Sequence, residues 1–283
     1  MAKKTHEEWD VYNNVFDNFT EGVLRKLKGQ GYFDELLHLI ALGKEGNVFL
    51  AKKDDDFVCV KIYRLQTCDF NRMYDYLKMD PNYVGVTKRR REVVFMWSKK
   101  EYRNLITLYE NKIRVPKPIA CVNHVLVMEF IGDANGVPAK PLLKEYPTNP
   151  KAFFDEIILF MKKMREVDVV HGDLSEYNIL NHNDKPVIID VSQMTSVKNL
   201  TFYEYLHRDV KNVSRFFKKL GVSNKEDELY REIAFMDSKK EQNPLMEPRD
   251  LKIKKEPTDR YKEKRKKKDE LKSKRKRKDV SKV

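Results

Sequence analysis

The stretch His171-Gly172-Asp173-Leu174-Ser175-Glu176-Tyr177-Asn178, followed by Val187-Ile188-Ile189-Asp190, constrains this chain more than any other part of it. Asn178-Ile179-Leu180, a polar turn from Asn181 to Asp184, and Val187-Ile188-Ile189 read as a short hairpin. Asp173 and Asn178 lie on the loop that enters this hairpin, and Asp190 lies where it ends. A lone His-Gly-Asp is usually a turn. Two acids and an amide gathered on one loop–strand–turn–strand unit are hard to obtain by chance. One acid can orient an attacking hydroxyl, while the amide oxygen and the other acid can hold a hard cation such as Mg²⁺.

Globular patterning runs from about residue 10 to about residue 236. Val11, Val15, Phe16, Phe19, Val23, Leu24 and Leu27 recur at helical spacing. Leu39 to Leu42 and Val48 to Ala51 flank a glycine-bearing turn, Gly43-Lys44-Glu45-Gly46-Asn47, and Phe57 to Tyr63 reads as a strand. Residues 67–90, of mixed polarity and carrying Asp80-Pro81-Asn82, read as a long mobile insertion. A helix is expected over 91–110 and a strand over Val125 to Phe130. The second half opens on a helix after Pro150, with Phe153, Phe154, Ile157, Ile158, Met161 and Met164 on one stripe. Phe202 to Leu206 and Val210 to Leu220 read as closing helices. Strands first and helices later predict an α+β body of two lobes.

The net charge of +13 suggests nucleic acid until it is located. Residues 251–283 hold 17 Lys/Arg against 6 Asp/Glu, which leaves 40 against 38 for the rest. The body is nearly neutral, and the basicity belongs to a tail whose composition predicts no packed core. Most such runs are merely solvated. The sharper reading is salt-dependent, sequence-blind contact with RNA phosphates. Cys59, Cys68 and Cys121 are scattered, which argues against a disulfide framework or zinc site and predicts a cytoplasmic setting. No apolar run reaches the length of a membrane span.

Other residues join the constellation less specifically. Gly43 to Val48 could bring backbone N–H groups close to phosphates, although such turns are common. Lys61 sits inside an apolar strand, where a charge needs a partner, ligand or route to water. Glu101 is the preferred partner and Glu92 the second choice. Met128, Glu129 and Ile131 end a strand where backbone groups of Glu129 and Ile131 could meet an adenine edge; an ordinary buried strand would look the same.

Together these strings resemble the RIO family of atypical serine/threonine kinases, first subfamily, in a compact archaeal-like form. The resemblance runs from Leu42-Gly43-Lys44-Glu45-Gly46-Asn47-Val48-Phe49 through Val60-Lys61-Ile62-Tyr63, Glu101 to Leu105, Val127 to Gly132 and His171 to Asn178. It ends with Ile189-Asp190-Val191-Ser192-Gln193 and Arg208-Asp209-Val210-Lys211-Asn212-Val213. It implies a bilobal protein-kinase-like fold over residues 1–236, with a strand-rich N-lobe at about 10–128, a hinge at 129–134 and a mostly helical C-lobe at 135–236. Residues 237–283 would be the basic tail.

The resemblance also implies roles. Asp173 would be the catalytic acid, and Asn178 and Asp190 the Mg²⁺ ligands, with Mn²⁺ an alternative. Lys61 would contact ATP phosphates and pair with Glu101. Gly43, Lys44, Glu45, Gly46, Asn47 and Val48 would cover the triphosphate, and 67–90 would be a loop that orders with nucleotide. Asp190 would be a candidate phosphate acceptor; apart from the resemblance, Thr87 and Ser98 are candidate autophosphorylation sites. Ser175 stands where ordinary protein kinases carry a phosphate-contacting lysine, and no Ala-Pro-Glu follows Asp190. The pattern therefore points to ATP hydrolysis as well as Ser/Thr phosphorylation, in maturation of the small ribosomal subunit. The alternatives are a nucleotide-gated RNA-binding module with little catalysis, and a small-molecule kinase of the aminoglycoside type.

Overall fold

The computed structural model describes residues 16–83 and 85–236. The basic tail and the expected helical start at Val11 and Val15 lie outside them. Helix α1 (Asn18–Gly29) begins where Asp17 Oδ1 accepts the Thr20 N–H at 2.8 Å, one of the orphan donors of a first turn. A sheet follows with strands β1 (Glu35–Leu42), β2 (Gly46–Lys53), β3 (Asp56–Tyr63), β4 (Pro118–Val122) and β5 (Val125–Glu129), in the order β1-β2-β3-β5-β4. All its pairings are antiparallel. One face packs on α1 through Val23, Leu24 and Leu27 against Phe49, Val60 and Val127.

Between β3 and β4 the chain runs through α2 (Phe70–Met79), a 3-10 turn (Pro81–Tyr83) and the long α3 (Arg90–Glu110). The segment 67–90, expected as a long mobile loop, is thus helical over 70–79 and 81–83. Asp69 caps α2 by accepting the Arg72 N–H at 3.1 Å, and Met73, Leu77 and Tyr83 are buried with Val93, Val94 and Trp97 of α3. Three large apolar side chains on one face give this segment a docking surface that its polar average conceals.

The second lobe holds α4 (Pro150–Glu166), α5 (Phe202–Lys219) and α6 (Glu226–Ala234), with short strands β6 (Lys140–Pro141), β7 (Val169–Val170), β8 (Ile179–His182), β9 (Lys185–Ile188) and β10 (Thr195–Ser196). The hairpin expected after Asn178 is β8–β9, with Ile179 opposite Ile188. The two closing helices are one: α5 runs unbroken, because Arg208 and Asp209 continue a face that buries Phe202, Tyr205, Leu206, Asp209, Val210 and Val213. Leu105 and Leu108 of α3 belong to the core of this lobe, so α3 is rooted in both. The structure thus has the α+β, two-lobed form expected.

Candidate active site

The glycine turn is shaped by crowding. Gly43 N–H bonds the Gly46 carbonyl at 2.9 Å, and a Cβ on Gly46 would stand 2.6 Å from the Ile62 carbonyl oxygen. Only glycine lets β2 start this close to β3. Lys44 is exposed at the tip. Glu45 turns inward and accepts the Trp97 Nε1–H at 2.8 Å, tying the turn to α3; burial, with Asp190 nearby, pushes its carboxyl up. Asn47 Oδ1 accepts from Arg64 at 2.8 Å, and Val48 lies opposite Lys61 in the ladder. Side chains of this turn are thus largely engaged with protein.

Lys61 is buried, and its ammonium stands 2.8 and 2.9 Å from the two oxygens of Glu101. It also donates to Asp190 Oδ1 at 3.1 Å. Burial alone would favour the neutral amine, but Asp190 and Glu101 outweigh it and hold Lys61 charged, above the usual lysine range. Glu101 is pushed up to about 7 by burial, against the pull of Lys61. Glu92, the second choice, is exposed and bonds Thr87 and Arg89 instead. For Asp190, burial would raise the carboxyl, yet Lys61 prevails and holds it below the usual range.

Asp190 has φ 56° and ψ 58°, left-handed backbone that a β-carbon disfavours and that Asp tolerates better than most residues. Its side chain is 43% exposed, whereas that of Glu101 is 2% exposed. Of the two acids on Lys61, only Asp190 is open to a ligand.

Asp173 and Asn178 lie on the loop before β8, where the Asn178 carbonyl accepts the N–H of Ile189, the neighbour of Asp190, at 3.0 Å. Asn178 Nδ2 donates to the Asp173 carbonyl at 2.8 Å, and Gln193 Nε2 donates to Asp173 Oδ2 at 3.2 Å. His171 is buried; its Nδ1 accepts the Asp173 N–H at 3.2 Å, so Nε2 carries the proton given to the Ile189 carbonyl at 3.1 Å. Burial lowers its pKa and keeps this neutral tautomer.

Sequence reasoning quoted Asp209 without giving it a role. Buried on α5, it accepts the Gly172 N–H at 2.8 Å and the Leu174 N–H at 2.9 Å, on either side of Asp173. Arg208 donates to the Gly172 carbonyl. Burial pushes Asp209 up to about 7, opposed by the two N–H donors. An acid on the buried stripe of a helix was the available signal, since such a group must have a partner.

The donor set fits a divalent cation. Asp190 Oδ2, Asn178 Oδ1 and Asp173 Oδ1 accept no hydrogen bond among the described residues, since the bonds of these side chains use their other atoms. They are hard oxygen donors. Around Lys61, moreover, one ammonium faces Glu101, Asp190 and Glu45, an excess of negative charge that a cation would offset. Among the described residues no cluster of three or more His, Cys, Asp or Glu suggests another metal centre.

At the end of β5, Glu129 grips Arg114 through both oxygens at 2.7 and 2.8 Å, and its N–H bonds the Lys117 carbonyl at 2.9 Å. The Ile131 carbonyl accepts from Ala139 N–H at 2.9 Å, and Met128 is half-buried opposite Cys59. Ser98, an expected modification site, is fully buried and bonded to Cys121 Sγ at 3.2 Å, which removes it from the candidates. Thr87 is exposed.

From the segment expected to be a loop, α2 reaches toward the site. Arg72 stacks over Tyr76 at 5.8 Å, and Tyr76 lies 6.3 Å from the Tyr205 ring, which packs on Gly172. Arg72 is within electrostatic reach of Asp173 and Glu45.

Known proteins resemble this chain. The RIO domain model matches residues 47–230. The RIO-type serine/threonine-protein kinase Rio1 of Haloferax volcanii is 38% identical over 231 residues, covering 81% of this chain and 79% of the relative. That of Methanocaldococcus jannaschii is 36% identical over 233 residues, covering 82% and 80%. Among solved structures, the Rio2 kinase–ADP/Mg²⁺–phosphoaspartate complex from Chaetomium thermophilum aligns with a TM-score of 0.57 at 21% identity, covering 76% of this chain and 66% of that one. That likeness speaks to the fold, which is of the protein-kinase type. With a RIO domain over most of its length and Rio1 kinases as relatives, the chain belongs to the RIO family of serine/threonine-protein kinases.

Proposed function

We propose that this chain transfers the γ-phosphoryl group of Mg²⁺-ATP to a Ser/Thr hydroxyl, to itself or to water. The observation that carries the reading is Lys61 bonded at once to Glu101 and Asp190, with Asn178 bonded to Asp173 and the Asn178 carbonyl held by the Ile189 N–H, next to Asp190. In this reading Asp190 and Asn178 hold the cation, which offsets charge on the phosphates. Lys61, fixed by Glu101, presents its ammonium to the phosphate oxygens. The Glu129 N–H and Ile131 carbonyl are already bonded within the protein and the Ile131 N–H meets the Cys59 sulfur, which leaves the Glu129 carbonyl for an adenine edge. Asp173 orients the attacking hydroxyl and takes its proton as the oxygen bonds to the γ-phosphorus; the bond to the β-phosphate oxygen breaks and ADP leaves. Arg72 supplies the positive charge that Ser175 does not, supported by its electrostatic reach to Asp173.

Only residues 191–201 separate Asp190 from α5, little chain for a peptide-docking platform. That supports turnover on the protein itself or on water beside phosphorylation of free peptides, with Asp190 as the acceptor of the phosphoryl group. A pre-ribosomal small subunit is the partner we favour, on the family resemblance and on the cationic runs at 88–91 and 251–283. The test is purified protein with labelled ATP and Mg²⁺. Phosphate release and self-labelling should exceed those of Asp173→Ala by orders of magnitude; equality of the two proteins would sink the proposal.

A further inference from the structure

Lys100 is a buried cation that the proposed reaction does not use. It neighbours Glu101 on α3, and its side chain is 3% exposed. Its ammonium donates to the Ser192 carbonyl at 3.0 Å and to the Met194 carbonyl. One turn further on, Asn104 Nδ2 donates to the Val191 carbonyl at 2.7 Å. Two side chains of α3 thus take up three carbonyls of the loop that follows Asp190. The counter-charge of Lys100 comes from elsewhere: Asp80, at 3.8 Å, with a side chain 6% exposed. Asp80 follows α2, and its Oδ1 accepts the N–H and Nδ2–H of Asn82 at 3.0 and 3.1 Å.

A buried ammonium is costly unless paired, and removing its partner leaves that cost uncompensated. An apolar side chain would fill the same volume without this liability. What lysine adds is a joint between three segments far apart in sequence: the 67–90 segment, α3, and the loop that carries Asp190. The 67–90 segment is otherwise held to α3 by apolar contacts of Met73, Leu77 and Tyr83, by Arg103 on the Tyr83 hydroxyl at 3.3 Å and by Arg90 over the Phe70 ring, and none of these side chains bonds the loop after Asp190. Among the described residues, Asp80–Lys100 is the ion pair that joins this segment to a side chain gripping the loop after Asp190.

We propose that Asp80 and Lys100 form a latch that couples docking of the 67–90 segment to the order of the Asp190 loop. With the segment docked, Lys100 is paired and grips the carbonyls of Ser192 and Met194. With Asp80 withdrawn, the charge is stranded, the grip loosens, and Asp190 loses its fixed position. Lys100 is a positioning residue, and its functional consequence rests on Asp190 being the metal ligand of the proposed reaction.

Hydrogen exchange of the full chain without nucleotide tests the latch independently of catalysis. Asp80→Asn keeps the size and removes the charge. It should speed exchange across 191–196 by about 5-fold or more, the lower end of couplings between sites, while the core of α5 stays as in wild type. Asp80→Glu, which keeps the charge, should stay close to wild type. Lys100→Met should loosen 191–196 and also speed exchange across 70–79, because it strands the buried Asp80. Wild-type exchange at 191–196 in both Asp80→Asn and Lys100→Met overturns the latch, as does Asp80→Glu behaving like Asp80→Asn. In turnover assays, Asp80→Asn should raise the Mg²⁺ needed for half-maximal rate more than it lowers the rate at saturation. Should wild type show no turnover, the reaction reading fails while the exchange result still decides the latch.

Discussion

Lys61 Nζ lies 2.8 and 2.9 Å from the two oxygens of Glu101, so a strand of the sheet and the middle of α3 are joined by a buried, two-pronged ion pair. Lys61→Met should abolish most turnover, lowering kcat/KM by about 100-fold or more while the protein stays folded. Glu101→Gln keeps an oxygen acceptor but frees Lys61 to turn toward Asp190. It should raise KM for ATP more than it lowers kcat. Steady-state kinetics with a thermal melt of each variant check both statements.

Asp209 receives two backbone N–H groups with its two oxygens, and asparagine cannot do so, because its amide would set donor against donor. Asp209→Asn should cost about 1–3 kcal/mol of stability, the penalty of an unsatisfied buried group. It should also lower kcat with little change in KM for ATP, because the Asp173 loop loses its anchor. Urea unfolding and kinetics on one preparation separate the effects.

Arg72 is exposed, so Arg72→Ala should leave stability within about 0.5 kcal/mol of wild type. If it supplies charge to the transferred group, kcat falls by about 10-fold or more, and Arg72→Lys recovers part of the loss. Unchanged kcat in Arg72→Ala would remove it from the mechanism.

Leu77 is fully buried between α2 and α3. Leu77→Ala should destabilise the protein by about 2–5 kcal/mol, as for a packed core leucine. A segment that orders only with nucleotide would show almost no cost in its absence. Denaturant midpoints without ATP discriminate the two.

His124 is buried against Phe19 and Phe95, at 5.6 and 6.0 Å, and shares a 3.0 Å hydrogen bond with Thr20. Burial lowers its pKa to about 4, from an ordinary value of 6.5. The unfolded chain therefore binds a proton that the native state refuses between those values, and stability must fall as pH drops from 6.5 toward 4. The full effect of one such group is about 3 kcal/mol. His124→Gln should unfold with a shallower pH dependence over that window than wild type, measured by urea midpoints.

The fold was legible where pattern and burial coincide. The stripe on α4 and the β8–β9 hairpin announce themselves, because one face of each is apolar and the other is not. Lys61 was conspicuous as a charge in an apolar strand, and Glu101 was preferred over Glu92 from its spacing to Val115-Pro116, which follows the helix. The 67–90 segment was misread because its docking residues, Met73, Leu77 and Tyr83, are diluted by charged neighbours. Ser98 was misread because nothing local says which face of α3 is turned inward. The continuity of α5 was hidden by Arg208 and Asp209, whose polarity looks like a break until their partners are known.

The sequence alone determined the chemistry available here: an acid, an amide and a second acid around a hairpin, with a lysine on a strand to meet them. It did so because loop and hairpin spacing limits how far apart those groups can be. The tertiary structure alone decided the pairings, since these depend on residues brought together from tens of positions to more than a hundred apart. Lys61 meets Asp190 across the two lobes, and Asp209 reaches back to the N–H groups around Asp173. Lys100 finds its carbonyls beyond Asp190 and its counter-charge in Asp80. Burial makes each of these partnerships obligatory, and only the packed chain reveals who the partner is.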